Sequence, residues 1–176
     1  YANGAYCYNV NEKKWTNYLH DENNPRSLPY DKVLSIFEDS HRQIWLTTQG
    51  GGFCKFHPET ETFTSYDSRN GLPNDVVYQI VEDKEGLMWL TTNNGLVSFQ
   101  PATGAMKVYT TANGLLGEQF NYRSSFETED GTIYLGSIDG FVAFNPKNFS
   151  ENKSLPSIVI TDFLLFGKEV YPGDPS

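Results

Sequence analysis

The chain has 176 residues with 13 Lys plus Arg against 22 Asp plus Glu, a formal net charge of −9. That length suits one ordinary domain or one domain and the start of another, and the acidic balance argues against nucleic acid or an anionic membrane surface as the main partner. Charged residues are only 20% and aromatics 15%, with 3 Trp, 11 Tyr and 12 Phe against 2 Met. This excludes a disordered chain and gives the inventory of a β-protein, built from flat rings and β-branched side chains.

The order of the chain is set by a repeat of about 44 residues. Glu38-Asp39 precedes Ile44-Trp45-Leu46-Thr47-Thr48; Glu82-Asp83 precedes Met88-Trp89-Leu90-Thr91-Thr92; Glu129-Asp130 precedes Ile133-Tyr134-Leu135-Gly136-Ser137. After each copy come a glycine, an aromatic and a proline: Gly52, Phe56 and Pro58; Gly95, Phe99 and Pro101; Gly140, Phe144 and Pro146. Gly4, Tyr8, Trp15 and Tyr18 match Gly52, Phe56, Phe63 and Tyr66, so the series is entered halfway through a copy.

In chain order, residues 1–26 read as the second half of one unit and its connector, and 27–70 and 71–114 as two full units. Residues 115–153 form a variant copy, and 154–176 leave the pattern. Each full unit reads as four short strands. The first, Val33 to Phe37 or Val76 to Val81, is almost continuously apolar, as expected when both faces are buried. The second carries the Trp. The third alternates, with Phe53 in phase with Lys55 and out of phase with Cys54, and the fourth is amphipathic and outermost. Asp, Asn, Gly and Pro between them are turn residues. Four strands in about 44 residues is the arithmetic of an all-β propeller blade, with Trp45 and Trp89 filling the space between blades. These blades make an incomplete ring.

The Glu-Asp, short turn, Ile/Met-Trp-Leu-Thr-Thr, Gly, Phe, Pro order resembles the two-component regulator propeller repeat of hybrid histidine kinase ectodomains in Bacteroides-like bacteria. The segment Asn70-Gly71-Leu72-Pro73-Asn74-Asp75-Val76-Val77 resembles that family's inter-blade connector, and Pro156 to Val170 resembles the first strands of its Y_Y_Y β-sandwich. The resemblance implies part of a non-enzymatic periplasmic sensor ectodomain of a membrane-anchored receptor, dimeric when whole. Such a receptor binds a glycan-derived signal and controls polysaccharide-utilisation genes through a kinase that lies outside this chain. Two other readings stand beside it: a secreted propeller enzyme resembling the streptogramin lyases, and a protein-interaction scaffold. The first residue is Tyr, which reads as processing or as a piece of something longer.

Chemistry is sparse. His20, His41 and His57 share no ligand spacing, and Cys7 and Cys54 are isolated and read as packing thiols on opposite strand faces. No metal or other cofactor is therefore expected. The Glu-Asp pairs recur at one repeat position and read as turn and strand-end residues rather than acid–base groups. Gly50-Gly51-Gly52 lacks a following Lys-Ser/Thr and reads as a hairpin. Residues that break the repeat are the better recognition candidates. The connector from Leu115 to Tyr122 is about two residues longer than its counterparts and gathers Glu118, Gln119, Asn121, Tyr122 and Arg123. Arg26, Tyr30, Asn74 and Tyr78 lie in the equivalent region of earlier copies. An aromatic ring beside amide and guanidinium donors suits an oligosaccharide, whose apolar face stacks while its hydroxyls are hydrogen-bonded. An open set of blades also leaves apolar faces uncovered, so the isolated chain is expected to self-associate.

Overall fold

The computed structural model describes residues 3–148 and the backbone of two short strands, Leu164–Leu165 and Lys168–Glu169. The expected Y_Y_Y start otherwise lies outside the described residues. All regular structure among them is β, apart from three short 3-10 turns in the connectors. Strands β1 (Ala5–Asn9) and β2 (Lys14–Tyr18) form a two-stranded sheet. β3 (Val33–Glu38), β4 (Ile44–Thr48), β5 (Phe53–His57) and β6 (Thr62–Tyr66) make a four-stranded antiparallel meander, as do β7 (Val77–Glu82), β8 (Met88–Thr92), β9 (Leu96–Gln100) and β10 (Ala105–Tyr109). β11 (Phe120–Glu127), β12 (Ile133–Ser137) and β13 (Gly140–Phe144) form a three-stranded sheet. The short strands are β14 (Leu164–Leu165) and β15 (Lys168–Glu169). The four larger sheets stand side by side as blades of an open propeller, with β7 between β3 and β11 on the inner side.

Each copy's Asp closes the turn between the first two strands and holds the Trp of the second. Asp39 Oδ1 accepts from the backbone N–H of His41 and Gln43, and its Oδ2 accepts from Trp45 Nε1 at 2.9 Å. Forty-four residues on, Asp83 Oδ1 accepts from the N–H of Glu85 and Leu87, and Oδ2 from Trp89 Nε1 at 2.9 Å. Both carboxylates and both indoles are buried. Each indole is thereby held against the next blade, its plane steeply inclined to that blade's Phe ring. Trp45 packs with Met88, Leu90 and Phe99, while Trp89 packs with Ile133, Leu135 and Phe144. The core therefore lies between blades, in three layers. The third layer sets Leu28, Leu46, Cys54 and Phe63 against Ala5 and Tyr18.

This layering corrects three sequence expectations. The third strand does not alternate between buried and exposed: Phe53 and Cys54 are both buried, because one faces the following blade and the other the preceding one. The first strand is buried on both faces in most of β7, but β3 is half-exposed and Ile36 is 64% exposed. Among the described residues, the β1–β2 pair alone stands on that side of β3. For the same reason Cys7 is an exposed thiol, not a packing one, whereas Cys54 is buried and its thiol pKa is pushed up by burial. Trp15 is likewise exposed, stacked on Tyr8, although Phe63 in the same slot is buried against Tyr18.

Removing the clasp isolates its contribution. Asp83→Ala leaves the indole N–H and two turn amides without a buried acceptor and should cost about 3 kcal/mol. Asp130→Ala, in the copy where Tyr134 replaces Trp and the carboxylate faces solvent, should shift the urea midpoint far less. Equilibrium unfolding of the two variants in parallel checks both.

Candidate functional site

The connectors cross one end of the blades, and a recurring carboxylate residue fixes each one. Asp31 accepts from His20 N at 2.7 Å, Asp75 from Ser68 N at 2.7 Å, and Glu118 from Thr111 N at 2.9 Å. The carbonyls of the same three residues accept from Gly4, Gly52 and Gly95, which open the third strand of their blades. Gly52 sits at φ 70°, and a Cβ there would fall on the Tyr66 carbonyl oxygen. A side chain at that point would therefore push the connector off the sheet. Two connectors also contain capped 3-10 turns, Ser68–Asn70 and Thr111–Asn113, each ended by a glycine with positive φ, Gly71 and Gly114. No sequence periodicity announced these turns; the Asp67…Asn70-Gly71 and Thr110…Asn113-Gly114 spacings are the signal that could have. Glu118, grouped with the recognition residues by its place in the longer connector, is one of these fasteners.

Inside that frame the inner strands carry bulges. Pairing slips between Val33 and Ser35 and between Val77 and Gln79, which turns Tyr78 away from the ladder. The Tyr78 hydroxyl donates to Asn93 Oδ1 at 2.8 Å, Gln119 hydrogen-bonds the same phenol, and burial pushes its pKa up. In β11 the slip is larger, between Phe120 and Ser125. The looped-out segment is tied by Asn121 Nδ2 donating to the Ser137 carbonyl and Ser124 Oγ donating to the carbonyls of Asn121 and Gly136. Gly136 stands where the other copies have Thr47 and Thr91, and a Cβ there would lie 2.7 Å from Ser124. That glycine is the sequence mark of the large bulge. Tyr122 is carried on its crest, 53% exposed, with its ring edge-to-face on Tyr78 at 4.6 Å.

Of the other eight candidates, the structure brings Tyr78, Gln119 and Tyr122 together. Arg123 follows on the same crest, exposed at φ 49°. Asn121 and Asn74 spend their amides on the backbone, Asn74 Oδ1 accepting from Val76 N. Tyr30 lies over Gly50 in the first connector, and Arg26 sits beside the outermost strand, its carbonyl accepting from Phe63 N. Asn93, which orients the Tyr78 hydroxyl, was not singled out in the sequence. Its clue was that the two residues Asn93-Asn94 stand where the preceding copy has the three residues Gln49-Gly50-Gly51. A second concavity, a polar cleft of about 420 Å³, lies between the first two connectors and includes His20, Asp21, Asp67, Arg69 and Asp75. Its Asp67 is paired with Arg69 and its Asp75 with Ser68. The other histidines lie elsewhere, His57 bonded to Thr64 and His41 to Ser40. Among the described residues no group of three or more His, Cys, Asp or Glu is placed to hold a metal ion.

The segment spanning the second connector, β7 and β8, residues 71–94, matches the family described as two component regulator propeller. Over 139 residues the chain is 34% identical to histidine kinase P4 of Formosa agariphila, covering 78% of this chain and 10% of that protein. In fold it is similar to the extracellular domain of a B. thetaiotaomicron protein described as a hybrid two component system, BT4673. That match has a TM-score of 0.67 at 23% identity and covers 84% of this chain and 21% of the other. Virginiamycin B lyase from Staphylococcus aureus shares the blade architecture at TM-score 0.58 and 17% identity, with 82% of this chain and 49% of the lyase covered. The chain thus spans about one tenth of the length of its histidine kinase relative.

The connector carboxylates give the fold an acid limit. The Thr111 backbone N–H holds Glu118 below the usual carboxylate range, the Arg69 guanidinium holds Asp67 below it, and the Thr128 hydroxyl does the same for Asp130. With folded values below unfolded ones, the unfolded chain binds more protons in acid, so stability rises with pH. The contribution is complete above the unfolded range of about 4 and is lost as pH falls through the lower folded values. The melting temperature should be flat from neutrality to about pH 5 and fall below about pH 4, with a shallower acid fall in Glu118→Gln; thermal unfolding across pH 3–7 measures it.

Proposed function

We propose that this chain is part of the periplasmic sensor ectodomain of a hybrid two-component histidine kinase, and that its part in that receptor is recognition rather than catalysis. The observation that carries the reading is its 34% identity over 139 residues to a histidine kinase. The propeller repeat at 71–94 and the fold likeness to an extracellular domain of a two component system agree with it. Residues 154–176 are read as the start of a Y_Y_Y sandwich, leading from the blades toward the membrane. In the intact receptor a ligand-dependent change in homodimer geometry would pass to the kinase and from there to polysaccharide-utilisation genes.

The ligand is a glycan-derived oligosaccharide at the connector end of the blades. Tyr122 supports this assignment, because it presents an exposed ring on a bulge that the chain holds in place with three hydrogen bonds. Beside it are the Tyr78 phenol and the exposed Gln119 amide. A pyranose can stack its C–H face on the ring and give its hydroxyls to the amides. Calorimetric titration of the chain with a panel of oligosaccharides tests this. Tyr122→Ala should weaken the best binder about three- to ten-fold and leave the melting temperature unchanged, since the ring is half in solvent. Affinity untouched by the substitution would move the site elsewhere.

The last blade also shows an apolar face, with Phe126 65% and Phe141 64% exposed on either side of Tyr134. Through this face the isolated chain should self-associate. Sedimentation velocity should show a weight-average mass that rises with concentration and returns toward the monomer in Phe126→Asp; a monodisperse wild-type monomer at high concentration contradicts the reading.

A further inference from the structure

The first connector departs from the others in length. Between the tyrosine that ends the outer strand and the carboxylate residue that fixes the connector lie twelve residues, 19–30, where the later copies have eight, 67–74 and 110–117. The hairpin it rests on departs as well, with Gln49-Gly50-Gly51 between Thr48 and Gly52 where the next blade has Asn93-Asn94 between Thr92 and Gly95. The two departures meet. A Cβ at Gly51 would lie 2.6 Å from the Pro29 carbonyl oxygen, and the Tyr30 ring covers Gly50. Both the longer connector and the longer hairpin line the polar cleft of about 420 Å³, together with Asp67, Arg69 and Asp75 of the second connector.

The longer connector holds its own shape. Asp21 N–H donates to Ser27 Oγ, Asn23 N–H to Asp21 Oδ1 and Arg26 N–H to Asn24 Oδ1, and the Asn24 and Ser27 amides donate to the carbonyls of Asp21 and Asn24. A wall already ordered adds little entropy cost to binding. These bonds leave lining groups uncommitted. Among the described residues the Glu22 carboxylate, the Asn24 Nδ2 and the Ser65 hydroxyl have no hydrogen-bond partner. His20 adds an acceptor. Its Nδ1 meets the Leu28 carbonyl at 2.9 Å, and since a carbonyl only accepts, Nδ1 carries the proton and the neutral ring keeps a lone pair on Nε2.

The lining decides what fits. Its apolar side chains are Pro25 and Pro29, with no Phe, Tyr, Trp, Leu, Ile, Val or Met. A lipid chain or a flat ring system therefore finds no surface to bury against. An anion is disfavoured too, because Asp21 and Glu22 are charged and the lining guanidinium, Arg69, is spent on Asp67 through Nε and Nη2. Mixed donors and acceptors, in a volume within the roughly 300–1,000 Å³ of small-molecule sites, fit a compact ligand rich in hydroxyls. We propose that this cleft is a binding site for a neutral mono- or disaccharide, held at its edges by hydrogen bonds to Glu22, Asn24, Ser65 and His20. It is separate from the stacking site at Tyr122, and its ligand class rests on the chemistry of the cleft rather than on the sensor reading.

Amide NMR spectra of the dilute, isotope-labelled chain, titrated with a panel of neutral mono- and disaccharides and with glucuronate as the anionic control, test this. At least one neutral sugar should give saturable shifts at the Gly50, Gly51 and Ser65 amides. Glu22→Ala and Asn24→Asp are changes at exposed residues, and the second keeps the oxygen that accepts from Arg26 N–H. Each should weaken that binding about two- to ten-fold and leave the rest of the spectrum in place. Tyr122→Ala should leave it unchanged. Absence of saturable cleft shifts with every neutral sugar overturns the proposal, and so does an equal response to glucuronate. Binding unaltered in both cleft variants also overturns it, as do cleft shifts that vanish in Tyr122→Ala, which would trace them to the bulge. Loss of binding at Tyr122 with cleft binding intact, or the reverse, shows which of the two sites has failed.

Discussion

The fold depends on a carboxylate that is asked to do two things at once. Asp39 and Asp83 each take two backbone N–H groups of a tight turn on one oxygen and an indole N–H on the other. A buried carboxylate is costly unless its lone pairs are filled, and here they are filled by groups that would otherwise be buried without partners themselves. The bond therefore couples a local turn to a long-range contact. It fixes where the second strand begins, and it also sets the plane of the ring that packs on the following blade. Where the indole is missing, in the last copy, the Asp130 carboxylate accepts from hydroxyls and an amide of its own turn and Tyr134 faces outward.

Everything apolar then follows from blades packing on blades. A strand between two complete neighbours is buried on both faces, as most of β7 is; the same kind of strand with one incomplete neighbour is not, as β3 shows. The buried layers are joined at the turn end by polar ties between copies, with Ser40 donating to Glu82 through both its N–H and its hydroxyl, and Lys84 donating to the Glu129 carbonyl. The Glu of each Glu-Asp pair thus has a place distinct from its neighbour: the Asp organises its own blade, and Glu82 reaches the one before.

At the opposite end the same economy leaves little free chemistry. The connector carboxylates are used in holding each connector to the outer strand behind it and the glycine in front. What remains uncommitted around β11 is an exposed tyrosine on a bulge, beside a buried tyrosine and two amide side chains. Those groups are chemically able to stack and to hydrogen-bond, while the neighbouring carboxylates are already occupied by structural bonds. It accords with the sensor role proposed for this chain.

The periodic part of this protein could be read from its sequence because each repeated residue answers to a short-range demand. A turn needs Asp and Gly, a ladder needs alternating or continuous apolar residues, and a ring recurs every blade. Trp45, Trp89 and the four-strand meander were legible on those grounds. Exposure was not, because Cys7, Trp15 and Ile36 hold slots that are buried in other copies, and only the presence or absence of a neighbouring blade decides whether such a slot meets water. The candidate site was legible only as a departure from the repeat. Sequence pointed to the segment from Gln119 to Arg123, while the bulge pinned by Gly136, the partnering of Tyr122 with Tyr78 and the part played by Asn93 depend on distances between strands far apart in the chain. The sequence by itself determined the blades. Which of their faces and edges stay open was decided by tertiary structure alone, because burial is a property of the neighbour as much as of the residue.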